Sequence, residues 1–101
     1  MTYFIYILYS ETSDLHYVGY TKDYEQRLSQ HNESEHHTFT SKHRPWILKA
    51  VYQCGEIESE AVRIEKFIKK QKSRKLIERL IIGEPLTGVL AQLVRVPHVR
   101  D

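Results

Sequence analysis

The stretch TYFIYILYS at residues 2–10 constrains the fold more than any other part of the 101-residue chain. The residues that alternate along it are apolar or aromatic on both faces: Tyr3, Ile5, Ile7 and Tyr9 on one, and Phe4, Tyr6 and Leu8 on the other. A strand that is apolar on both faces is usually central in its sheet. The sequence therefore predicts a sheet with this strand inside it.

Two more strands and a helix are predicted in the first half of the chain. Residues 10–15 form a turn cluster and residues 16–21 a second strand, so the chain begins with a hairpin. Asp23 followed by Gln26 resembles a capping box and predicts a helix that continues to about Asn32. Residues 32–45 are polar without clear periodicity, which predicts a long exposed loop before a third strand at 46–54.

The second half of the chain has helical periodicity. The pattern begins at Ser59 and ends at Gly83 and Pro85, which are typical of a helix C-terminus, and a short last helix is predicted over 85–96. We therefore expect an α+β fold, with a small three-stranded antiparallel sheet flanked by helices and a ββαβ core followed by C-terminal helices. A chain of 101 residues predicts a single domain over 1–101, with its core at about 2–82.

Charge is distributed unevenly along the chain. Between Ala61 and Leu80 there are eight basic residues and two acidic ones. Such a stripe suits a polyanion such as nucleic acid, and it is equally typical of a solvated helix face. The candidate nucleic-acid-binding residues, including one outside the stripe, are Lys66, Lys69, Lys70, Lys72, Arg74 and Lys42.

The cysteine content and the hydropathy pattern indicate a cytoplasmic protein. Cys54 is the only cysteine, which excludes an internal disulfide and is natural in a reducing compartment. The residues after Met1 lack the basic region of a signal peptide, and no apolar run approaches the length of a membrane span. We therefore expect no membrane partner.

Three charged or titratable side chains are candidates for chemistry. Arg27 and His31 lie four residues apart and therefore share one face of the predicted helix. A guanidinium binds phosphate oxygens in pairs, and an imidazole can move a proton. Glu65, the only acid between residues 61 and 77, lies at the rim of an apolar helix stripe, where it is either an ion-pair partner or a metal ligand.

Gly19 is unusual because it lies within a predicted strand. A glycine there often marks a bulge or a close approach by a ligand or another backbone segment. Tyr17 lies two residues away on the same face, so the absent side chain is expected to leave room beside its ring. Tyr6, on the neighbouring strand, either shares that face or belongs to the core.

Taken in order, these residues resemble the GIY-YIG nuclease superfamily, and the chain length resembles its small stand-alone bacterial branch. The set is Tyr6, Tyr17-Val18-Gly19, Arg27, His31 and Glu65. The resemblance covers residues 2 to about 82, and its most specific parts are YVGYTKDYEQRLSQHN at 17–32 and EAVRIEKFIKKQK at 60–72. Phe4-Ile5-Tyr6 stands where the family name has Gly-Ile-Tyr.

The resemblance implies metal-dependent hydrolysis of DNA phosphodiester bonds, with DNA repair or recombination as the candidate setting. By this resemblance, Tyr6 and Tyr17 correspond to the two motif tyrosines, and Glu65 corresponds to the glutamate that binds one Mg²⁺ or Mn²⁺ ion. Arg27 would stabilise the transition state, and His31 would relay a proton. Tyr17 is the first choice for the general base, with Tyr6 orienting it or sharing the role.

Two other functions are compatible with the same residues. One is a nucleic-acid-binding module with weak or no cleavage, and the other is a protein-interaction domain whose basic stripe meets an acidic partner. DNA cleavage that depends on Glu65 distinguishes the nuclease from both. Convergence of the five candidate residues on one cleft is the structural expectation that goes with the nuclease.

Overall fold

The structure is a computed structural model and describes residues 1–35 and 38–97. In these ranges the chain forms four strands, three α-helices and two 3₁₀ helices. The strands are β1 (Tyr3–Ser10), β2 (Leu15–Thr21), β3 (Trp46–Gly55) and β4 (Val94–Arg95). The α-helices are α1 (Tyr24–Glu33), α2 (Glu58–Gln71) and α3 (Arg74–Ile82), and the 3₁₀ helices are Thr40–His43 and Gly88–Gln92. The strands form one antiparallel sheet in the order β2-β1-β3-β4.

The strand β1 is central, as its two apolar faces predicted. It pairs with β2 on one side and β3 on the other. Ile5, Ile7 and Leu8 are fully buried, and Tyr6 is 1% exposed. Both faces of β1 are therefore covered, which accounts for its apolar composition.

Helices cover both faces of the sheet. On one face, Ile5 and Ile7 belong to the same core cluster as Ile64 and Ile68 of α2 and Leu80 of α3. On the opposite face, Tyr6 and Leu8 of β1 pack with Tyr24 and Leu28 of α1. The predicted α+β architecture with an antiparallel sheet is confirmed.

The helix boundaries follow from local chemistry. The Asp23 side chain accepts a hydrogen bond from the Gln26 backbone N–H at 3.0 Å, so the predicted cap begins α1. Lys72 ends α2 in the left-handed conformation, with φ of 47°, and the Ser73 side chain caps α3. Gly83, with φ of 90°, ends α3 at the predicted position.

Two predictions for the C-terminal part are wrong: the helix over 85–96 and the count of three strands. Gly88 has φ of 62°, which interrupts a continuous α-helix, and only the 3₁₀ helix follows. The chain then extends, and Val94 and Arg95 pair with Gln53 and Tyr52 of β3 as the fourth strand. The prediction rested on the helical spacing of Leu86, Val89, Leu90 and Leu93, and backbone pairing with the open edge of β3 overrides that spacing.

The prediction of an exposed loop over 32–45 is also wrong in part. Asn32 anchors its start, because its side chain donates to the Trp46 carbonyl at 3.0 Å and accepts from the Trp46 N–H at 2.6 Å. Thr40 is buried and begins the first 3₁₀ helix. Residues 36 and 37 of the predicted loop lie outside the described residues.

Among the helices of residues 1–35 and 38–97, none combines the length and the apolar character that crossing a bilayer requires.

Candidate functional site

A cleft of about 520 Å³ lies beside β2, the edge strand of the sheet. Four of the five predicted catalytic side chains line it: Tyr6, Tyr17, Arg27 and Glu65. Arg27 comes from α1, which covers one face of the sheet, and Glu65 comes from α2, which covers the other. The cleft therefore joins residues from both faces around one strand edge.

Gly19 makes room for Tyr6 rather than for Tyr17, which corrects the expectation of open space beside Tyr17. The two residues are Cα partners across β1 and β2. A β-carbon on Gly19 would fall 2.8 Å from Cε1 of Tyr6 and closer still to the tyrosine hydroxyl. The absent side chain thus lets the Tyr6 ring occupy the space beside Gly19 on β2.

Tyr6 and His31 form a buried hydrogen-bonded pair. The Tyr6 hydroxyl is 2.9 Å from Nε2 of His31, and Nδ1 of His31 is 2.9 Å from the Thr40 hydroxyl. Burial, and next the neighbouring Tyr17, raise the pKa of Tyr6 above its usual value. Burial, and then the positive charges of Arg27 and Arg44, lower the pKa of His31 to about 4. The pair is therefore uncharged near pH 7.

Tyr17 is half-buried in a group of aromatic rings. Its ring centroid lies 4.9 Å from that of His31, 6.2 Å from that of Trp46 and 6.3 Å from that of Tyr6. The Nζ atom of Lys69, from α2, lies 5.0 Å from the Tyr17 ring centroid. Tyr17 is thus the more accessible of the two motif tyrosines, and its ring lies beside a lysine ammonium group.

His31 lines a different concavity from Glu65, and Tyr17 and Arg27 line both. His31, Tyr17 and Arg27 line an adjoining concavity of about 500 Å³, whereas His31 does not line the cleft that contains Glu65. Four predicted residues therefore share one cleft, and the fifth contacts it through Tyr6. Arg27 is exposed, and its side chain makes no hydrogen bond or ion pair with any group in residues 1–35 and 38–97.

Glu65 offers one carboxylate to the cleft. Its side chain is 18% exposed, and its Oε1 atom is 3.4 Å from Nζ of Lys69. Within the described part of the chain, no three His, Cys, Asp or Glu side chains are grouped closely enough to hold a metal ion. A divalent cation at Glu65 would therefore receive one protein ligand and complete its shell with water and phosphate oxygens, which hard cations accept.

The predicted nucleic-acid-binding residues lie in different surroundings. Lys69 contacts Glu65 and Tyr17, so it lies beside the cleft, although it does not line it. Arg74 pairs with Asp14 at 2.6 Å and with Glu78 at 3.4 Å. Lys66 and Lys70 are exposed on α2, about 100° and 140° around the helix from Glu65 at 100° per residue. Lys72 and Lys42 are also exposed.

Sequence reasoning missed two residues of this region. Thr40 bonds His31, but it lies in a stretch without periodicity, so no signal pointed to it. Lys69 is predicted to bind nucleic acid, but its position beside the candidate residues Glu65 and Tyr17 is not among the predictions. Its spacing of four from Glu65 was the available signal, because side chains at that spacing meet on a helix.

Comparison with known families decides the family. The profile described as the GIY-YIG catalytic domain matches residues 2–78, which is most of the chain. The chain belongs to the GIY-YIG family. Its family assignment therefore agrees with the resemblance carried by the paired tyrosines, Arg27, His31 and Glu65.

Members of one small group of bacterial proteins are similar to this GIY-YIG chain. A UPF0213 protein of Staphylococcus saprophyticus is 38% identical over 79 residues, which are 74% of this chain and 93% of that protein. A UPF0213 protein of Fusobacterium nucleatum is 32% identical over 78 residues, which are 71% and 74% of the two chains. Neither name states a reaction.

A solved structure is also similar. The solution NMR structure of a UPF0213 protein from Bacillus halodurans has a TM-score of 0.50 and 30% sequence identity, and the match covers 83% of this chain and 86% of that one. The shared fold is thus seen in a relative of similar length.

Proposed function

We propose that this protein is a metal-dependent endonuclease that hydrolyses DNA phosphodiester bonds, with branched repair or recombination intermediates as the first substrates to test. The observation that carries the proposal is the cleft beside β2, in which Tyr17, Arg27 and Glu65 face one space. Phosphodiester hydrolysis needs a base, a positive group for the charge that develops on the phosphate, and an anionic ligand for a cation.

Glu65 is the residue that we propose holds Mg²⁺ or Mn²⁺. A partly exposed carboxylate is a suitable ligand for either cation, and phosphate and water would supply the other oxygens. When bound, the cation supplies Lewis-acid stabilisation of phosphate charge. Lys69 already places an ammonium group 3.4 Å from the same carboxylate, so this end of the cleft accommodates positive charge.

The environments of the two tyrosines support Tyr17 as the base and Tyr6 as a positioning residue. The Tyr6 hydroxyl is engaged with His31, and burial raises the Tyr6 pKa, so loss of its proton is unfavourable. Tyr17 is more exposed, and its ring lies beside Lys69. A base must be reachable by the water whose proton it takes, and Tyr17 is the motif tyrosine that is less buried in the cleft.

Arg27 and His31 have different parts in this proposal. The exposed guanidinium of Arg27 binds the phosphate and stabilises its added charge in the transition state. His31 is neutral above its pKa of about 4, so near pH 7 it can relay a proton only as a neutral imidazole. Such a ring accepts at one nitrogen and donates at the other, and its two partners here are Tyr6 and Thr40.

Cleavage assays with matched variants test the proposed function. Plain, nicked and branched DNA would be incubated with Mg²⁺ or Mn²⁺ and with wild type, Glu65→Gln or Arg27→Ala. We expect each substitution to lower the cleavage rate about 10²- to 10³-fold, the usual loss when one group that stabilises developing charge is removed. Gel analysis of end-labelled DNA gives the rates.

Two exposed residues outside the cleft provide the controls. Glu25→Gln on α1 and Arg79→Ala on α3 repeat the two charge changes and are expected to cut at the wild-type rate. Equal cleavage by wild type and Glu65→Gln would overturn the mechanism. Binding without cleavage on every DNA and metal would support a nucleic-acid-binding module instead.

A further inference from the structure

Phe39 is a large apolar side chain left open to solvent close to the catalytic cleft. It is 55% exposed, whereas the other phenylalanines and the tryptophan in the described residues are at least partly buried. Its ring is supported by His43, with the two ring centroids 4.8 Å apart. A single exposed apolar residue is ordinary, so its surroundings decide whether Phe39 has a role.

The backbone next to Phe39 is fixed by buried contacts. Thr40 is 6% exposed, its hydroxyl is hydrogen-bonded to His31, and its carbonyl accepts the indole N–H of Trp46 at 2.8 Å. The Trp46 ring in turn lies 6.2 Å from that of Tyr17. Phe39 precedes Thr40, so the contacts of Thr40 with His31 and Trp46 hold Phe39 at a set position relative to the proposed base Tyr17. The same contacts keep the Phe39 side chain at the surface.

Phe39 and Tyr17 both line two concavities. One, of about 500 Å³, also contains Arg27 and His31, and the other, of about 470 Å³, contains Lys69 and Lys72. The Phe39 ring thus borders two groups of positive or hydrogen-bonding side chains. A ligand that covered Phe39 would be close to both groups.

The charge around Phe39 suits an anionic ligand. The second concavity includes Lys69, Lys72 and Arg74, and its one carboxylate, Asp14, is neutralised by Arg74 at 2.6 Å. The Asp14 carboxylate also accepts a hydrogen bond from the Tyr9 hydroxyl, so it has a second partner besides Arg74. A flat apolar surface flanked by cations is complementary to a flat base flanked by phosphates.

We infer that Phe39 stacks on an unpaired nucleobase of the DNA, beside the phosphate that enters the cleft. This inference rests on the proposed function and adds a substrate class to it: DNA with at least one unpaired nucleotide, such as a single strand, a flap or a bubble. A base in a continuous duplex is covered by its neighbours on both faces, so it cannot offer its ring to Phe39.

Binding measurements without divalent metal test the inference while no DNA is cut. Wild type and Phe39→Ala would be titrated, in EDTA, into a labelled single-stranded oligonucleotide and into the same oligonucleotide with abasic sugars at its central positions. We expect Phe39→Ala to bind the intact strand about 5- to 100-fold more weakly, the range for loss of one base–aromatic stack. Its affinity for the abasic strand should equal that of wild type.

Two further variants separate stacking from folding and from general apolarity. Phe39→Trp retains a stacking ring and should restore the preference for the intact strand. Ile82→Ala, which removes a 73% exposed apolar side chain from α3, should bind both strands as wild type does. With a 2-aminopurine base in the strand, wild type and Phe39→Trp should quench its fluorescence, and Phe39→Ala should not.

The outcomes distinguish this inference from the proposed function. If wild type binds intact and abasic strands equally, or if Phe39→Ala keeps the preference, the stacking role of Phe39 is overturned even when DNA is cut in Mg²⁺. If no DNA is bound at low salt and none is cut, the proposed function fails together with the inference. Loss of cleavage in Glu65→Gln with an intact base preference supports both.

Discussion

At the scale of single residues, the two motif tyrosines differ in burial and in the groups that they contact. Tyr6 is 1% exposed and bonded to His31, whereas Tyr17 is half-buried beside Lys69. The side chains are chemically identical, so their different roles in our proposal come from the burial and the hydrogen bond of Tyr6 and from the greater exposure of Tyr17. Gly19 contributes to this difference, because a side chain at position 19 would overlap the Tyr6 ring.

The depressed pKa of His31 predicts a pH dependence of stability. The folded protein holds His31 neutral down to about pH 4, whereas an unfolded histidine binds a proton below about pH 6.5. The stabilisation from His31 is therefore complete above about pH 6.5 and is lost as the pH falls toward 4. Urea unfolding at pH 7, 6 and 5 should show the free energy of unfolding decreasing over this range.

The matched variant for this effect is His31→Gln, which keeps hydrogen-bonding groups and removes the ionisation. We expect it to be less stable than wild type at pH 7 and to lose less stability between pH 7 and pH 5. Burial also lowers the pKa of His16. His16 is present in both proteins, so its contribution to the pH dependence of stability cancels in the comparison. Parallel curves for the two proteins would show that His31 is not the group responsible.

At the scale of elements, the helical pattern from Ser59 to Gly83 is two helices rather than one continuous helix. Lys72 ends α2 with φ of 47°, and the Ser73 side chain accepts from the Leu76 N–H at 3.1 Å to begin α3. The break lets the apolar residues of α2 and α3 both reach the same face of the sheet. A lysine tolerates this left-handed conformation less well than glycine.

The variant Lys72→Gly is therefore predicted to have opposite effects on stability and on DNA binding. Glycine removes the backbone strain of the left-handed conformation, and we expect about 1 kcal/mol more free energy of unfolding after its extra unfolded-state entropy is included. The lost charge should weaken DNA binding. Urea unfolding and fluorescence anisotropy measure the two quantities.

The adjacent residue supplies the control for this prediction. Gln71→Gly lies one position earlier, within α2, where glycine costs helix stability and changes no charge. We expect Gln71→Gly to unfold more easily than wild type and to bind DNA with the same affinity as wild type. A stability loss in both variants would mean that Lys72 is not strained.

At the scale of the whole molecule, the basic residues of 61–80 are not one uniform surface. Lys69 and Arg74 have acidic partners, whereas Lys66 and Lys70 are exposed and form no ion pair within the described residues. The exposed pair is free to contact phosphates along a DNA backbone. Contacts of this kind release counterions and make affinity depend on salt.

The double variant Lys66→Gln/Lys70→Gln is predicted to reduce that salt dependence. Each lost phosphate contact lowers the slope of log K against log salt by about 0.9, so two should lower it by about 2. Anisotropy titrations of a duplex between 50 and 200 mM salt measure the slope. The control Lys49→Gln changes a charge on β3 outside this region and should leave the slope unaltered. An unaltered slope in the double variant would exclude Lys66 and Lys70 as phosphate contacts.

The sequence also specified much of the molecule beyond the motif. The two apolar faces of β1 predicted its central place, the Asp23 cap predicted the start of α1, and Gly83 predicted the end of α3. These are local properties, since side-chain alternation and capping depend on residues near in the chain. The strand β4 could not be predicted in this way, because its two residues are ordered by pairing with β3.

The sequence by itself indicated the candidate side chains, four of which line the cleft, and only the tertiary structure decided how they meet. Arg27 and Glu65 lie on helices that cover opposite faces of the sheet, and they share one space because β2 is the edge strand between them. The bond from His31 to Thr40 and the exposure of Phe39 likewise depend on where Trp46 and α1 place a segment without periodicity. Contacts between distant segments arise from packing, which no local pattern encodes.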